Sequence, residues 1–233
     1  MVRKSIAKTQ MIAFWSGDET ISGVLELPTG ARRHPAIIAI HEWWGLTDWV
    51  KEKAANLAAN GYVVLAVDLY RGTIATDRSQ ARKLKRILPK NRAIRDLKAA
   101  FNYLASRPDV DPKRIGSIGW SMGGGFALQL AIHEPRLNAC VVNYGALTMD
   151  PVDIEKIEAP VLGNFGALDR GIPRGEVRAF EKVMKALNKS VDIKIYSGAG
   201  HAFQNPGNTR GYRPEAAADS WLGTLTFYAD KLR

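Results

Sequence analysis

The sequence predicts an α/β fold, a mostly parallel central sheet with helices on both faces. Three observations carry this. Short apolar runs alternate with helical patterns along the chain, as parallel strands joined by helical crossovers require. The length, 233 residues, suits a single large α/β domain spanning 1–233 and buries a substantial core without staples. The segment Arg114 to Gly125, RIGSIGWSMGGG, joins an apolar run to a small-residue helix through Gly119-Trp120-Ser121-Met122-Gly123. That is the strand, sharp turn and helix of a nucleophile elbow.

In order along the chain, Met11 to Trp15 and Ile21 to Leu27 read as an antiparallel opening pair across the turn Ser16-Gly17-Asp18-Glu19. A loop from Thr29 to Pro35 leads into Ala36 to Ile40, an apolar run fit for a strand buried on both faces. Thr47 or Asp48 caps a helix that runs through Ala59 and stops at Asn60-Gly61. Tyr62 to Val67 is the next strand. A basic helical region starts at Asp77 or Ser79 and is broken by Pro89. Its second piece, Arg92 to Ser106, places Ile94, Leu97, Ala100, Phe101 and Leu104 on one face. Asp111-Pro112 then turns the chain into the elbow strand. Further strands are expected at Asn138 to Asn143, Val161 to Phe165 and Val191 to Tyr196, with a helix from Arg174 to Asn188 between the last two. A closing helix, Pro214 to Leu232, shows Ala217, Trp221, Leu225 and Tyr228 at helical spacing as a core stripe. No insertion is long enough to form a large lid domain.

The single cysteine, Cys140, lies in an apolar run, so it reads as a packed strand residue and no disulfide framework exists. The N-terminus is basic but has no continuous apolar segment or small-residue cleavage site, and no later stretch reaches membrane-spanning length. A cytoplasmic protein without membrane association is expected. The net charge is +10, and Arg78 to Lys98 holds nine Lys/Arg against one acid, Asp96. Without aromatic stacking positions or helix-turn-helix spacing, this reads as solubility or as a field attracting anionic substrates, not as nucleic-acid binding.

The chemistry gathers at strand ends. A tight strand-to-helix turn lifts Ser121 clear of the sheet, and the glycines on either side spare it a Cβ clash. A serine hydroxyl needs a base to take its proton and an acid to orient that base. His201 follows the last strand in Ser197-Gly198-Ala199-Gly200-His201-Ala202-Phe203, and Asp169 follows the preceding one in Gly166-Ala167-Leu168-Asp169. Each stands where open parallel sheets hold their sites, in the chain order Ser, Asp, His. His34, His41 and His133 are less suited as the base, and Asp68 is the rival for the acid. No His/Cys/Asp cluster has metal-ligand spacing, and the elbow lacks the Gly-Lys-Ser/Thr ending of a phosphate loop, so neither metal nor cofactor is implied.

His41-Glu42-Trp43-Trp44-Gly45, Val67-Asp68-Leu69-Tyr70-Arg71, the elbow, Gly166-Ala167-Leu168-Asp169 and Gly198-Ala199-Gly200-His201-Ala202-Phe203 together resemble the dienelactone hydrolase family, within the α/β-hydrolase fold. The resemblance covers nearly the whole chain. It implies an enzyme that cleaves carboxylic esters or lactones of small molecules, with backbone N–H groups of Met122 and Trp43 as oxyanion hole. It also implies that Glu42 lies beside the nucleophile and that Arg71 helps bind an anionic group. Apart from the resemblance, Trp43 and Trp44 put a large apolar surface in a turn at a strand end and so read as the wall of a pocket. Two departures stand out. Ser121 occupies the place of the family's usual cysteine, which shifts the expectation from specialised lactone opening to ester hydrolysis. Gln204 and Asn205 stand where an arginine is usual, leaving Arg210 or Arg213 as alternatives. Opening of a true dienelactone, another acyl acceptor or bond, and a non-catalytic binding scaffold are the competing readings.

Overall fold

A computed structural model of the chain describes residues 8–30 and 32–232. Its elements in chain order are β1 (Lys8–Ser16), β2 (Glu19–Leu27), β3 (His34–Ile40), α1 (Asp48–Ala59), β4 (Val63–Val67), α2 (Arg78–Ile87), α3 (Lys90–Ser106), β5 (Val110–Trp120), α4 (Met122–His133), β6 (Ala139–Asn143), α5 (Pro151–Glu155), β7 (Val161–Gly166), α6 (Arg174–Ala186), β8 (Val191–Tyr196) and α7 (Pro214–Lys231). The reading of the extreme N-terminus falls partly on residues 1–7, which lie outside the described residues, as does Ala31 in the loop before β3. The eight strands make a mostly parallel sheet. Two compact units divide the chain, Met1–Ser117 and Ile118–Arg233. No helix among the described residues is long and apolar enough to cross a membrane.

In the first unit the strand order is β1-β2-β4-β3-β5. The opening pair is antiparallel, with Ser16 opposite Glu19 across the expected turn. β3 and β4 run parallel, Ile37 beside Val64 and Ile38 beside Leu65. All of these side chains are inaccessible to solvent, since α1 and α3 pack on these strands. Thr47 caps α1 in extended backbone, and the helix stops at Asn60 with Gly61 at φ +96°. Asp77 caps α2 by accepting the Gln80 N–H at 2.9 Å.

Two expectations here need correction. α3 begins at Lys90, directly after Pro89, and its buried line runs through Ala93, Asp96, Leu97, Ala100, Phe101 and Leu104, leaving Ile94 at the margin. Asp96 takes a core position because it is paired there, as described below. The turn assigned to Asp111-Pro112 comes earlier. Val110 N–H closes a turn on the Arg107 carbonyl at 3.3 Å, and Asp111 and Pro112 already belong to β5.

In the second unit the order is β5-β6-β7-β8. β6 and β7 are parallel and buried throughout, with Asn143 beside Asn164 in register. α4 buries residues all round its axis, from Met122 to Ile132. The short α5, not anticipated from the sequence, is started by Asp150, which accepts the Val152 N–H at 2.9 Å, and by Pro151 in its first turn. On α7 the buried line passes through Ala217, Ser220, Thr224 and Tyr228, one position off the expected Trp221 and Leu225. The hydroxyls make this possible. Ser220 Oγ donates to the Ala217 carbonyl at 3.0 Å and Thr224 Oγ1 to that of Ser220 at 2.9 Å, so two small polar residues pack inward without an unmet donor.

Candidate active site

Gly119 at the end of β5 determines the shape of the elbow. A Cβ there would fall 1.9 Å from the Gly123 carbonyl oxygen, a backbone atom with nowhere to go. That close approach lets α4 start immediately after the strand, and it holds Ser121 at φ +53° and ψ −114°. This is costly backbone for a residue with a side chain. It is secured on both sides, since Ser121 N–H donates to the Asn143 carbonyl at 2.9 Å and its own carbonyl accepts from Gly125 N–H at 3.1 Å. Met122 opens α4, so its amide belongs to the set of N–H groups at the positive end of the helix.

The other two side chains come from the ends of β7 and β8, in the same unit. His201 Nε2 lies 2.7 Å from Ser121 Oγ. His201 Nδ1 lies 2.7 Å from Asp169 Oδ2. The Asp169 side chain is fully buried, and its other oxygen accepts N–H groups from Gly171 at 2.8 Å and Ile172 at 3.1 Å. Burial pushes the Asp169 pKa up, but the hydrogen bond and charge of His201 and the two amides outweigh it and hold the carboxyl below its usual value. An anionic Asp169 only accepts, so the neutral imidazole carries its proton on Nδ1 and turns the Nε2 lone pair to the serine hydroxyl.

The histidine loop is built to hold this ring. Gly166 brings it against the end of β7, where a Cβ would lie 2.5 Å from the Ala199 carbonyl oxygen and 2.6 Å from that of Gly200. Leu168 N–H donates to the Ala199 carbonyl at 2.8 Å. Tyr144 sets its ring edge-on to His201, with centroids 5.4 Å apart. Asn208 Nδ2 donates to the His201 carbonyl at 3.0 Å. Arg213, one of the two candidates for a substrate-binding arginine, directs its guanidinium to the carbonyls of Gly198, Arg210 and Tyr212 and so braces the loop.

Of the remaining candidates, His34, His41, Glu42, Trp43, Trp44, Asp68 and Arg71 fall in the first unit and His133 in the second. His41 is fully buried. Its Nδ1 donates to the Glu42 carbonyl at 2.6 Å, and its Nε2 accepts the Leu69 N–H at 3.2 Å. Burial, only partly offset by the Glu42 carbonyl and Asp68, lowers its pKa and keeps it neutral. His34 and His133 likewise lie against backbone carbonyls, Gly61 at 3.1 Å and Gln129 at 2.8 Å. Among the four histidines, His201 is the one whose ring meets a carboxylate. Asp68, the rival acid, uses its oxygens on the amides of Tyr70 at 2.9 Å and Gly72 at 2.5 Å, closing the loop after β4.

Glu42 is 3% exposed, not a solvated turn acid. Trp43 and Trp44 are half-buried in the turn after β3, their rings edge to face at 5.2 Å. Arg71 has its guanidinium on two carboxylates, Glu19 at 3.0 Å and the buried Asp96 at 2.8 Å. Burial opposes its charge, yet these partners raise its pKa above the usual arginine value. Arg95 shares both carboxylates, at 2.7 Å from Glu19 and 3.5 Å from Asp96, so the cation expected to meet an anionic substrate stands in a balanced cluster of two arginines and two acids.

A buried amide network beside the triad went unrecognised in the sequence. Trp120 Nε1 donates to Gln204 Oε1 at 2.9 Å, and Gln204 Nε2 donates to Asn143 Oδ1 at 2.9 Å. Asn164 Nδ2 also donates to Asn143 Oδ1, at 3.0 Å, while Asn143 Nδ2 donates to the Gly119 carbonyl at 3.1 Å. The one available signal was a polar residue inside each of two apolar strands, Asn143 and Asn164.

Comparison with known proteins agrees with this architecture. The family model described as Dienelactone hydrolase family matches residues 21–232. A Saccharolobus solfataricus protein assigned as a carboxymethylenebutenolidase is 33% identical over 232 residues, which cover 82% of this chain and 88% of that protein. A Bradyrhizobium protein assigned as a 2-oxo-3-(5-oxofuran-2-ylidene)propanoate lactonase is 32% identical over 216 residues, covering 87% and 86%. The crystal structure of a protein assigned as a dienelactone hydrolase from Klebsiella pneumoniae subsp. pneumoniae superposes with a TM-score of 0.88 at 27% identity, covering 96% of this chain and 98% of that one. The fold is thus that of the α/β hydrolases.

Proposed function

Because this chain belongs to the dienelactone hydrolase family, we propose that it is a serine hydrolase cleaving carboxylic ester bonds of small or short-chain esters, and of lactones, through an acyl-enzyme on Ser121. The observation that supports this reading is the unbroken chain from Ser121 Oγ to His201 Nε2 and from His201 Nδ1 to Asp169 Oδ2, each step 2.7 Å. In the first half-reaction His201 Nε2 takes the hydroxyl proton while Oγ bonds to the substrate carbonyl carbon, and the carbonyl electron pair moves onto oxygen. The Met122 amide at the head of α4 donates to that oxyanion. When the pair returns, the bond to the leaving oxygen breaks and that oxygen takes the proton from Nε2. A water molecule then repeats the sequence on the acyl-enzyme and frees Ser121. Asp169, kept anionic, steadies the imidazolium formed in each half.

Ester cleavage on serine needs no thiolate, which fits Ser121 where the family usually has cysteine. Lactones belong in the substrate set because a ring ester presents the same carbonyl. We place the protein in the cytoplasm, consistent with a lone buried Cys140. The test is hydrolysis of p-nitrophenyl acetate and butyrate, a simple lactone and a dienelactone by the wild type and by Ser121→Ala. The variant is expected to fold normally and to lose at least about a thousandfold in kcat, and an organophosphonate should label the wild type at Ser121 alone. Full ester hydrolysis by Ser121→Ala would overturn the reading.

A further inference from the structure

We propose that Gln204 is a positioning residue for the reaction, setting His201 against Ser121 through the buried carboxamide network; this rests on the triad reading above. His201 is weakly enclosed, its side chain 42% exposed, so beyond its hydrogen bond to Asp169 and the edge contact with Tyr144 its place depends on the loop that carries it. Gln204 follows three residues later, is 5% exposed, and is anchored at both ends. Its oxygen accepts from the Trp120 indole and its nitrogen donates to Asn143. These orientations are not interchangeable. An indole N–H only donates, which turns Oε1 toward Trp120 and leaves Nε2 for Asn143, and the Gly119 carbonyl only accepts, which turns Asn143 Oδ1 toward Gln204.

Three strand ends meet in the network. Trp120 directly precedes Ser121, whose own amide is held by the Asn143 carbonyl at 2.9 Å. Asn164 lies on the strand that leads to Asp169, and its carbonyl accepts the Tyr144 N–H at 2.8 Å, placing the ring that flanks His201. Gln204 is thus the one member that ties the histidine loop to the elbow by side-chain hydrogen bonds. A displaced imidazole would leave ester binding intact and weaken proton transfer, so the loss belongs in kcat.

The experiment compares Gln204→Met, which keeps the length and loses both polar ends, with Gln204→Glu, which regains donor and acceptor when protonated, and with Trp120→Phe. Each is made in the wild type and in His201→Ala, and is assayed on p-nitrophenyl acetate beside its thermal unfolding. We expect Gln204→Met to lower kcat by about 10- to 100-fold with KM within about twofold. Gln204→Glu should recover part of that loss, and Gln204→Met combined with Trp120→Phe should cost no more than the larger single change. In His201→Ala, none of the three should reduce the residual rate further.

A folded Gln204→Met with wild-type kcat, or an equal proportional loss in the His201→Ala background, would overturn the proposal. If Gln204→Met does not fold, Gln204→Glu and Trp120→Phe decide by the same two criteria. His201→Ala retaining wild-type activity would instead overturn the hydrolase reading itself, so the two failures are distinct.

Discussion

Asp169 meets its partners on two separate oxygens, and that division determines what its replacement does. Oδ1 already faces two backbone donors, the amides of Gly171 and Ile172. In Asp169→Asn the carboxamide oxygen is drawn to those donors, and its NH2 is turned toward His201 Nδ1. The imidazole then answers with a lone pair on Nδ1 and a proton on Nε2, and a protonated Nε2 has no means of accepting from Ser121. We expect a loss in kcat of about a thousandfold or more, with thermal unfolding little changed, measured on p-nitrophenyl acetate. A loss below tenfold would mean that tautomer control by Asp169 is not what sustains the rate. The three residues of this relay were legible in the sequence because each sits in a distinctive glycine-rich strand exit and their order is constrained. Gln204 was not, because its meaning comes from partners 84 and 61 positions away. The ion pairs of Arg71 with Glu19 and Asp96 were hidden for the same reason, since both partners are distant in the chain.

Between elements, the contact that sets the site is the one joining the end of β7 to the histidine loop. Gly166→Ala would drive a methyl into the carbonyls of Ala199 and Gly200, which are backbone atoms on the loop that carries His201. Overpacking of this kind costs about 1–3 kcal/mol or more, and the displaced loop should lower kcat together with the melting temperature. Gly175→Ala in α6 is the control, since an added Cβ there meets nothing within 4 Å. Helix propensity favours alanine at such a position by about 0.5–1 kcal/mol, so the control is expected to unfold at a slightly higher temperature with unchanged activity. Equal behaviour of the two variants would remove Gly166 from any role in site geometry. The elements themselves were largely readable, because β3, β4, β6 and β7 are apolar runs buried along nearly their whole length. What escaped were choices made by packing. α7 turns Ser220 and Thr224 inward once their hydroxyls have found helix carbonyls, and hydrophobic spacing alone points to Trp221 and Leu225. Asp96 reaches the core of its unit because Arg71 and Ser16 meet it there, the latter at 2.6 Å.

At the scale of the whole molecule the dominant feature is charge, +10 with a pI near 9.8. Much of the basic surface is answered locally, as in the pairs Arg107–Asp109, Arg114–Asp111, Arg136–Glu134 and Arg178–Glu181. α2 is different. Arg78, Arg82, Lys83, Lys85 and Arg86 form no ion pair among the described residues, and the helix contains no acid. Unpaired charge of this kind acts on an anionic substrate as a diffuse field and not as a fitted guanidinium. A diffuse field acts over roughly 8–10 Å at moderate ionic strength and collapses to about 3 Å at 1 M salt. It raises the local concentration of an anion without distinguishing ground state from transition state, so its effect belongs in KM. The expected outcome is that kcat/KM for p-nitrophenyl hemisuccinate falls several-fold as NaCl rises from about 10 mM to about 500 mM, through KM, while p-nitrophenyl acetate changes little. Arg82→Glu combined with Arg86→Glu should flatten the hemisuccinate response and leave the acetate rate unaltered. Matching salt responses for the two esters would show that the net charge serves solubility and takes no part in choosing the substrate.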